Sequence, residues 1–298
     1  MKRITGVILA LLIMMLLAGC SSDPPGEGRT TRTACLVPSA DGTVTFAGNN
    51  SSVDCSNTSE GYVMVRYNGD ASKIKIQITG PGGTTYTYTS FPGDYQTFPL
   101  TEGSGSYRIA VFEHIEGIMY SMILCETADV QLSNEFGAFL YPNQYVWFTE
   151  SSEAVKLGCS LSDKTSTDLG YVEKVYEYIT EKIEYDYDKA EDTPVDYIPD
   201  IDDTLKTGRG ICFDYASLMA SMLRSQGIPT KLVVGYSGKD YHAWISVYLE
   251  ETGWVDDIIQ FNGQDWSLMD PTLGSSNSDD SVKAYISDDS NYRAIYFY

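Results

Sequence analysis

Three side chains of the sequence could together attack a carbonyl carbon. Cys212 stands in Gly208-Arg209-Gly210-Ile211-Cys212, immediately ahead of an apolar run with helical spacing. A cysteine in the first turn of a helix sits among unpaired N–H groups and at the positive end of the helix dipole, where an anion is favoured. A thiolate is such an anion, and a thiol so placed is expected to ionise below its ordinary value of about 8.5. Gly208 and Gly210 are expected to leave the backbone bare, so that a substrate can come close. His242 follows 30 residues later in Tyr241-His242-Ala243-Trp244. A strand histidine beside a reactive thiol suits a base that takes the thiol proton and later gives it to a leaving amine. Its ring needs an acceptor to fix the tautomer. Asp270, 28 residues beyond His242 and followed by Pro271, offers a carboxylate at a strand end. The second histidine, His114, lies between Glu113 and Glu116 and reads as a solvent-facing loop or strand-end residue.

The elements that must carry these residues show in the periodicity. From Cys212 onward Ala216, Met219, Met222 and Leu223 form a helical stripe, with Ser217, Ser221 and Arg224 expected to face away. Gly227 stops the helix and Pro229 prevents its continuation. Upstream, Val172, Val175, Tyr176, Ile179 and Ile183 repeat at helical spacing. Downstream, TKLVVGY, YHAWISVYLE, GWVDDIIQF and WSLMDPT read as strands. A helix bearing its cysteine against an antiparallel sheet is an α+β layout. Residues 34–140 have a different period. Ile74, Ile76 and Ile78 alternate with Lys73, Lys75 and Gln77, and Val63 and Val65 with Met64 and Arg66. Tyr107, Ile109 and Val111 share a face, and Gly-rich turns punctuate the runs. Short strands at this spacing predict a β-sandwich-like accessory domain, read as a spacer or packing unit.

In that context the second half resembles the transglutaminase-like superfamily, whose core is a rearranged relative of the papain fold. The residues that carry the resemblance are Gly210-Ile211-Cys212, Tyr215-Ala216, Gly227-Ile228-Pro229, Gly235-Tyr236, His242-Ala243-Trp244 and Trp266 through Asp270-Pro271-Thr272. They occur in that order across roughly residues 170 to 275, and IEYDYDKA upstream is similar to the family's Ile-x-Tyr-Asp segment. The resemblance implies Cys212 as nucleophile, His242 as base and Asp270 as the residue that orients it. It also implies acyl transfer from an amide through a thioester, with no cofactor. The backbone N–H of Cys212 would hold the oxyanion, with Tyr185 or Tyr187 as candidates for a second donor. Hydrolysis of a peptide, such as a cell-wall stem, is the leading expectation. Transfer to an amine, as in a protein-glutamine transglutaminase, is the alternative, and a catalytically inactive surface binding module is the reading from a different class. The sequence departs from simpler members in the length of LEETGWVDDIIQFNGQD, where Trp254 precedes Trp266, and an extra hairpin is expected there.

The N-terminus points to export. Lys2 and Arg3 precede an apolar run from Ile4 to Leu17, too short for a confident membrane span and ordered like a signal peptide. Leu17-Ala18-Gly19-Cys20 resembles the bacterial lipobox, which implies cleavage before Cys20 and its lipidation. The expected location is therefore the extracytoplasmic face of a cell membrane, held by acyl chains. Residues 21–33 read as a flexible tether, and about 265 residues remain for an accessory domain over 34–140 and a catalytic domain over 141–298. The formal net charge is -21, which repels nucleic acid and other polyanions and tolerates basic peptides. No CxxC pair supports a zinc site. Asp196, Asp200, Asp202 and Asp203 lack the spacing of a calcium loop and read as a solvated acidic stretch. Cys35 and Cys55 are the candidate disulfide, closing a loop of about 20 residues worth roughly 3 kcal/mol. Cys125 and Cys159 read as small core residues.

Overall fold

The computed structural model describes residues 29–255, 259–261, 266–268 and 291–298. The leader, Cys20 and Asp270 lie outside the described residues. Eight strands open the chain: β1 (Thr45–Gly48), β2 (Ser51–Asp54), β3 (Tyr62–Tyr67), β4 (Ile74–Thr79), β5 (Thr85–Ser90), β6 (Gln96–Pro99), β7 (Gly105–Glu116) and β8 (Met119–Val130). They form two four-stranded antiparallel sheets, ordered β1-β2-β3-β6 and β5-β4-β7-β8. Val53, Val63, Val65 and Phe98 of the first sheet share one core with Ile74, Ile76, Ile78, Ile109 and Val111 of the second. This is the expected sandwich. Met64 departs from the alternation, because it too is buried. The outer face of β3 is covered by the segment that leaves β8: Tyr62 meets Tyr141 at a tilt, with ring centroids 4.8 Å apart. A side chain at Gly61 would lie 2.6 Å from the Ala138 backbone nitrogen, so the crossing demands glycine there.

The second half holds α1 (Glu153–Ser162), α2 (Asp168–Lys182), β9 (Glu184–Tyr185), α3 (Tyr187–Glu191), α4 (Ile201–Thr207), β10 (Arg209–Gly210) and α5 (Cys212–Ser225). Then follow β11 (Thr230–Ser237), β12 (Asp240–Leu249), β13 (Gly253–Val255), β14 (Ile259–Phe261), β15 (Trp266–Leu268) and β16 (Tyr292–Phe297). The main sheet runs β13-β12-β11-β16, all antiparallel. Strands β14 and β15 pair with each other, Ile259 opposite Leu268, in the place where an extra hairpin is expected.

Helix α5 lies between α1, α2 and α4 on one side and β11 and β12 on the other. It is therefore buried all round, and the outward face expected for Ser217, Ser221 and Arg224 does not exist: all three are buried. A helical stripe in the sequence reveals only the most apolar side of a helix, and polar side chains can be buried when the backbone meets them. Ser217 donates to the Tyr145 carbonyl at 2.7 Å. The two halves are joined by tyrosines: Tyr145 of the connecting segment and Tyr298 stand 4.8 Å apart, and both meet Tyr88 of β5.

Residues 29–33 of the expected tether are bound rather than free. Arg29 is paired with Asp168, lies 4.5 Å over the Tyr171 ring and donates to the Gln226 carbonyl at 3.0 Å. The Gln226 carboxamide in turn takes both main-chain groups of Arg32, at 2.9 and 2.8 Å. An apolar-to-polar pattern gives no sign of such pairing, because its partners come from 130 or more positions away.

Candidate functional site

Cys212 is the first residue of α5 and is half-buried against the core. The residue before it, Ile211, has no side-chain acceptor for the helix amides. Its carbonyl receives the amides of Asp214 at 2.9 Å and Tyr215 at 3.1 Å. Among the described residues nothing accepts from the amides of Cys212 and Phe213, so the first turn presents two N–H groups around the sulfur. Such a helix end is a place for negative charge.

The turn is fixed from beneath by Asp214, which is fully buried. Its carboxylate accepts the Ile211 amide at 2.8 Å, the Lys189 ammonium at 2.7 Å and the Tyr197 hydroxyl. Lys189 also donates to the Tyr197 hydroxyl at 2.6 Å. A carboxylate at this depth is tenable only with such partners. Lys189 cancels a negative charge that would otherwise oppose a thiolate two residues away. Burial, and then the neighbouring Asp214 carboxylate, raise the Tyr197 pKa, so its hydroxyl keeps its proton and remains a donor. Sequence reasoning missed this cluster. The only signal was an Asp three residues after Ile211, the acceptor position of a capping box.

The glycines before Cys212 have internal reasons. Gly208 ends α4 with φ at 65°, a left-handed position that favours glycine. A side chain at Gly210 would come within 2.8 Å of Asp214 Cβ, and Gly210 itself is buried. Neither is the bare approach expected for substrate. Parallel pairing of β10 with β9 lays the IEYD segment along this loop, with Glu184 N to Gly208 O at 2.8 Å and Asp186 N to Gly210 O at 2.9 Å. Tyr185 is thereby paired with Gly210, half-buried, while Tyr187 opens α3 and is exposed; their rings meet at 4.9 Å.

His242 lies near the start of β12, opposite Gly235 of β11, and is half-buried. It shares a strand face with Trp244, on which its ring stacks at 6.1 Å, while Ala243, Ile245 and Val247 enter the core shared with α5. Tyr241, next to His242, has its pKa raised by burial, then by Tyr296, Tyr236 and Cys212. The start of β12 is thus within electrostatic reach of the sulfur. Cys212 and His242 stand on elements in direct contact, α5 and β12; Asp270 lies outside the described residues.

The remaining candidates fall elsewhere. His114 sits at the far end of β7, its Nε2 3.0 Å from the Gly117 carbonyl and its ring against Tyr120. The acidic stretch does structural work: Asp196 pairs with Lys73 at 3.5 Å, Asp200 caps α4, and Asp202 accepts from the Ala154 amide at 3.0 Å. The disulfide expected between Cys35 and Cys55 is not formed, and both are free thiols. Cys55 points into the sandwich core, where burial pushes its pKa up to about 11. Cys35 is drawn to the second half instead; burial, Glu150 and Cys159 push it up to about 11. Cys125 and Cys159 are half-buried rather than core residues.

Residues 156–256 match the family described as the transglutaminase-like superfamily, a span that holds Cys212 and His242 and stops short of Asp270. A UPF0252 protein of Methanocaldococcus jannaschii is 27% identical over 209 residues, covering 62% of this chain and 58% of that protein. A protein-glutamine gamma-glutamyltransferase of Pseudomonas aeruginosa is 37% identical over 70 residues, 18% of this chain and 10% of its own length. The human kyphoscoliosis peptidase is 30% identical over 139 residues, 43% of this chain and 19% of its own. The chain thus spans little more than half of the archaeal relative and a fifth or less of the other two. With its cysteine at the head of a central buried helix, the segment 156–256 is a transglutaminase-like domain.

Proposed function

We propose that the chain is a membrane-anchored, extracytoplasmic cysteine enzyme that cleaves amide bonds of peptides through a thioester. The observation that carries this reading is the placement of Cys212 at a helix start whose first two amides have no acceptor among the described residues. Cys212 Sγ, as thiolate, attacks the amide carbonyl carbon. The oxyanion is held by the Cys212 N–H, a preorganised donor of a kind typically worth about 3 kcal/mol. His242 carries the thiol proton to the leaving nitrogen, with Asp270 orienting its ring. Loss of the amine leaves a thioester on Cys212, which water attacks with His242 as base. The match to a protein named a peptidase covers more than twice as much of this chain as the match to a transferase, and it favours water as acceptor. The Pseudomonas match supports the second reading, transfer to an amine. Anchoring would come from Cys20; no helix among the described residues is long and apolar enough to cross a membrane.

Iodoacetamide is expected to label Cys212 near neutral pH ahead of the other thiols, and His242→Ala to slow it. Labelling no faster than a free model thiol would remove the chemical basis and leave a surface binding module. A glutamine peptide incubated with a fluorescent amine then separates transfer from hydrolysis.

A further inference from the structure

A second site lies where the halves meet. A cleft of about 570 Å³ is walled by the start of β6, by the segment between β8 and α1, and by the approach to α4. That volume is within the range of pockets that take small molecules. The cleft contains neither Cys212 nor His242.

Its walls carry polar atoms with unmet bonding. Thr97 and Gln144 are 1% and 7% exposed, and Thr97 Oγ1 and Gln144 Oε1, closed to solvent behind the wall, have no hydrogen-bond partner among the described residues. A buried orphan of this kind costs about 1–3 kcal/mol. Gln144 Nε2 donates to Gln96 Oε1 at 2.9 Å, which leaves the Gln96 amide N–H groups without a partner among the described residues. Asp200 and Asp202 each commit one carboxylate oxygen to backbone amides, 3.0 Å away, and keep the other. Two aromatic rings complete the wall. Trp147 is 47% exposed. Tyr95 is held rigid by Ser52 at 2.8 Å and by Arg66, 4.7 Å from its ring centroid.

The mixture selects a ligand class. An anion would meet Asp200 and Asp202. A simple cation would suit those carboxylates and the rings, yet would leave the Gln96 donors unused. A neutral ring bearing hydroxyls that both give and accept, and C–H faces that lie on aromatic rings, uses the Gln96 donors, the uncommitted carboxylate oxygens and both rings. We propose that this cleft binds a neutral saccharide. It flanks the first turn of α5: Tyr145, next to Gln144, meets Phe213 at 5.2 Å, and Tyr197, next to Ile198, bonds Asp214. The binding stands apart from the catalytic reading of Cys212.

Calorimetric titration of the full chain with N-acetylglucosamine tetrasaccharide, cellotetraose, maltotetraose and tetralysine tests it. Saturable binding of at least one saccharide is expected. Trp147→Ala should weaken it about tenfold, Gln96→Ala should weaken it less, and Trp147→Phe should retain most of it. Thermal melting checks that each variant is folded, and iodoacetamide labelling of Cys212 is expected to be unchanged. The proposal is overturned by tetralysine binding with no saccharide binding, by no binding of any probe, or by saccharide affinity that neither Trp147→Ala nor Gln96→Ala alters.

Discussion

The two ends of α5 are built on opposite plans. At its C-terminal end the carbonyls of Met222, Leu223, Arg224 and Gln226 all find donors. Gly227, with φ at 79°, lets its own amide reach the Arg224 carbonyl at 2.8 Å and that of Ile228 reach Leu223 at 3.1 Å, a Schellman closure. The buried Arg224 side chain then gathers three main-chain oxygens, of Thr230 at 2.8 Å, Tyr141 at 3.1 Å and Tyr298 at 2.5 Å. At its N-terminal end the support stops one layer below the surface. Asp214 secures the turn, while the amides around Cys212 have no acceptor among the described residues. The closed end joins β11, β16 and the connecting segment; the open end is left with capacity to bind a forming charge. Main-chain donors left open at one end of a helix whose other end is closed mark where chemistry can occur.

The contrast can be attacked from either end. The largest effect is expected from Cys212→Ala. It should lower amide-cleaving activity at least about a thousandfold while leaving the melting temperature unchanged, because the half-buried thiol adds little packing. A stability loss on the scale expected of Arg224→Met would show that the open end is structural. Arg224→Met should do the reverse. Burial presses the Arg224 pKa down to about 9, so the guanidinium stays charged at neutral pH and all three oxygens depend on it. Their loss should cost about 3–5 kcal/mol in denaturant unfolding, with thiol labelling kept in whatever fraction remains folded.

Asp214→Asn tests whether the support beneath the open end positions Cys212. It keeps the shape and removes the charge that holds Lys189, at a cost of about 2–3 kcal/mol. Slower labelling of Cys212 in the folded variant, with its pH profile displaced, is the readout that a merely structural Asp214 would not give. Gly227→Ala should be milder, about 1–2 kcal/mol for a left-handed residue given a side chain, and the Arg32 guanidinium must also move aside. The last effect shows only at alkaline pH and concerns the tyrosines beside the helix. Burial pushes the Tyr145 pKa up to about 12, above its unfolded value of about 10. Its contribution is therefore complete below pH of about 10 and is lost as pH rises toward about 12. Alkaline unfolding should be shallower in Tyr145→Phe, by about 2 kcal/mol across that window.

The sandwich was readable because strands such as β4 bury one face and leave the other toward solvent, so that Ile74, Ile76 and Ile78 announce themselves by alternation. Cys212 was readable because a helix start is a local matter of glycine, cap and apolar stripe. What stayed hidden depends on partners distant in sequence. Lys189 and Tyr197 reach Asp214 from a separate loop, and Arg224 looks like a surface residue until its three carbonyls are known. Cys35 and Cys55 were near in sequence, yet one is claimed by the sandwich core and the other by the second half. Spacing measures the loop a bridge would close; it does not measure the pull of two different cores.

The grip of Gln226 on the main chain of Arg32 decides where a load on the start of the chain would be felt. Strain arriving through residues 29–33 is delivered to the tail of α5. The sulfur of Cys212 lies at the other tip of the same rod, about 21 Å away for 14 residues at about 1.5 Å each. A pull on the beginning of the chain would therefore reach α5 at the tip remote from its thiol.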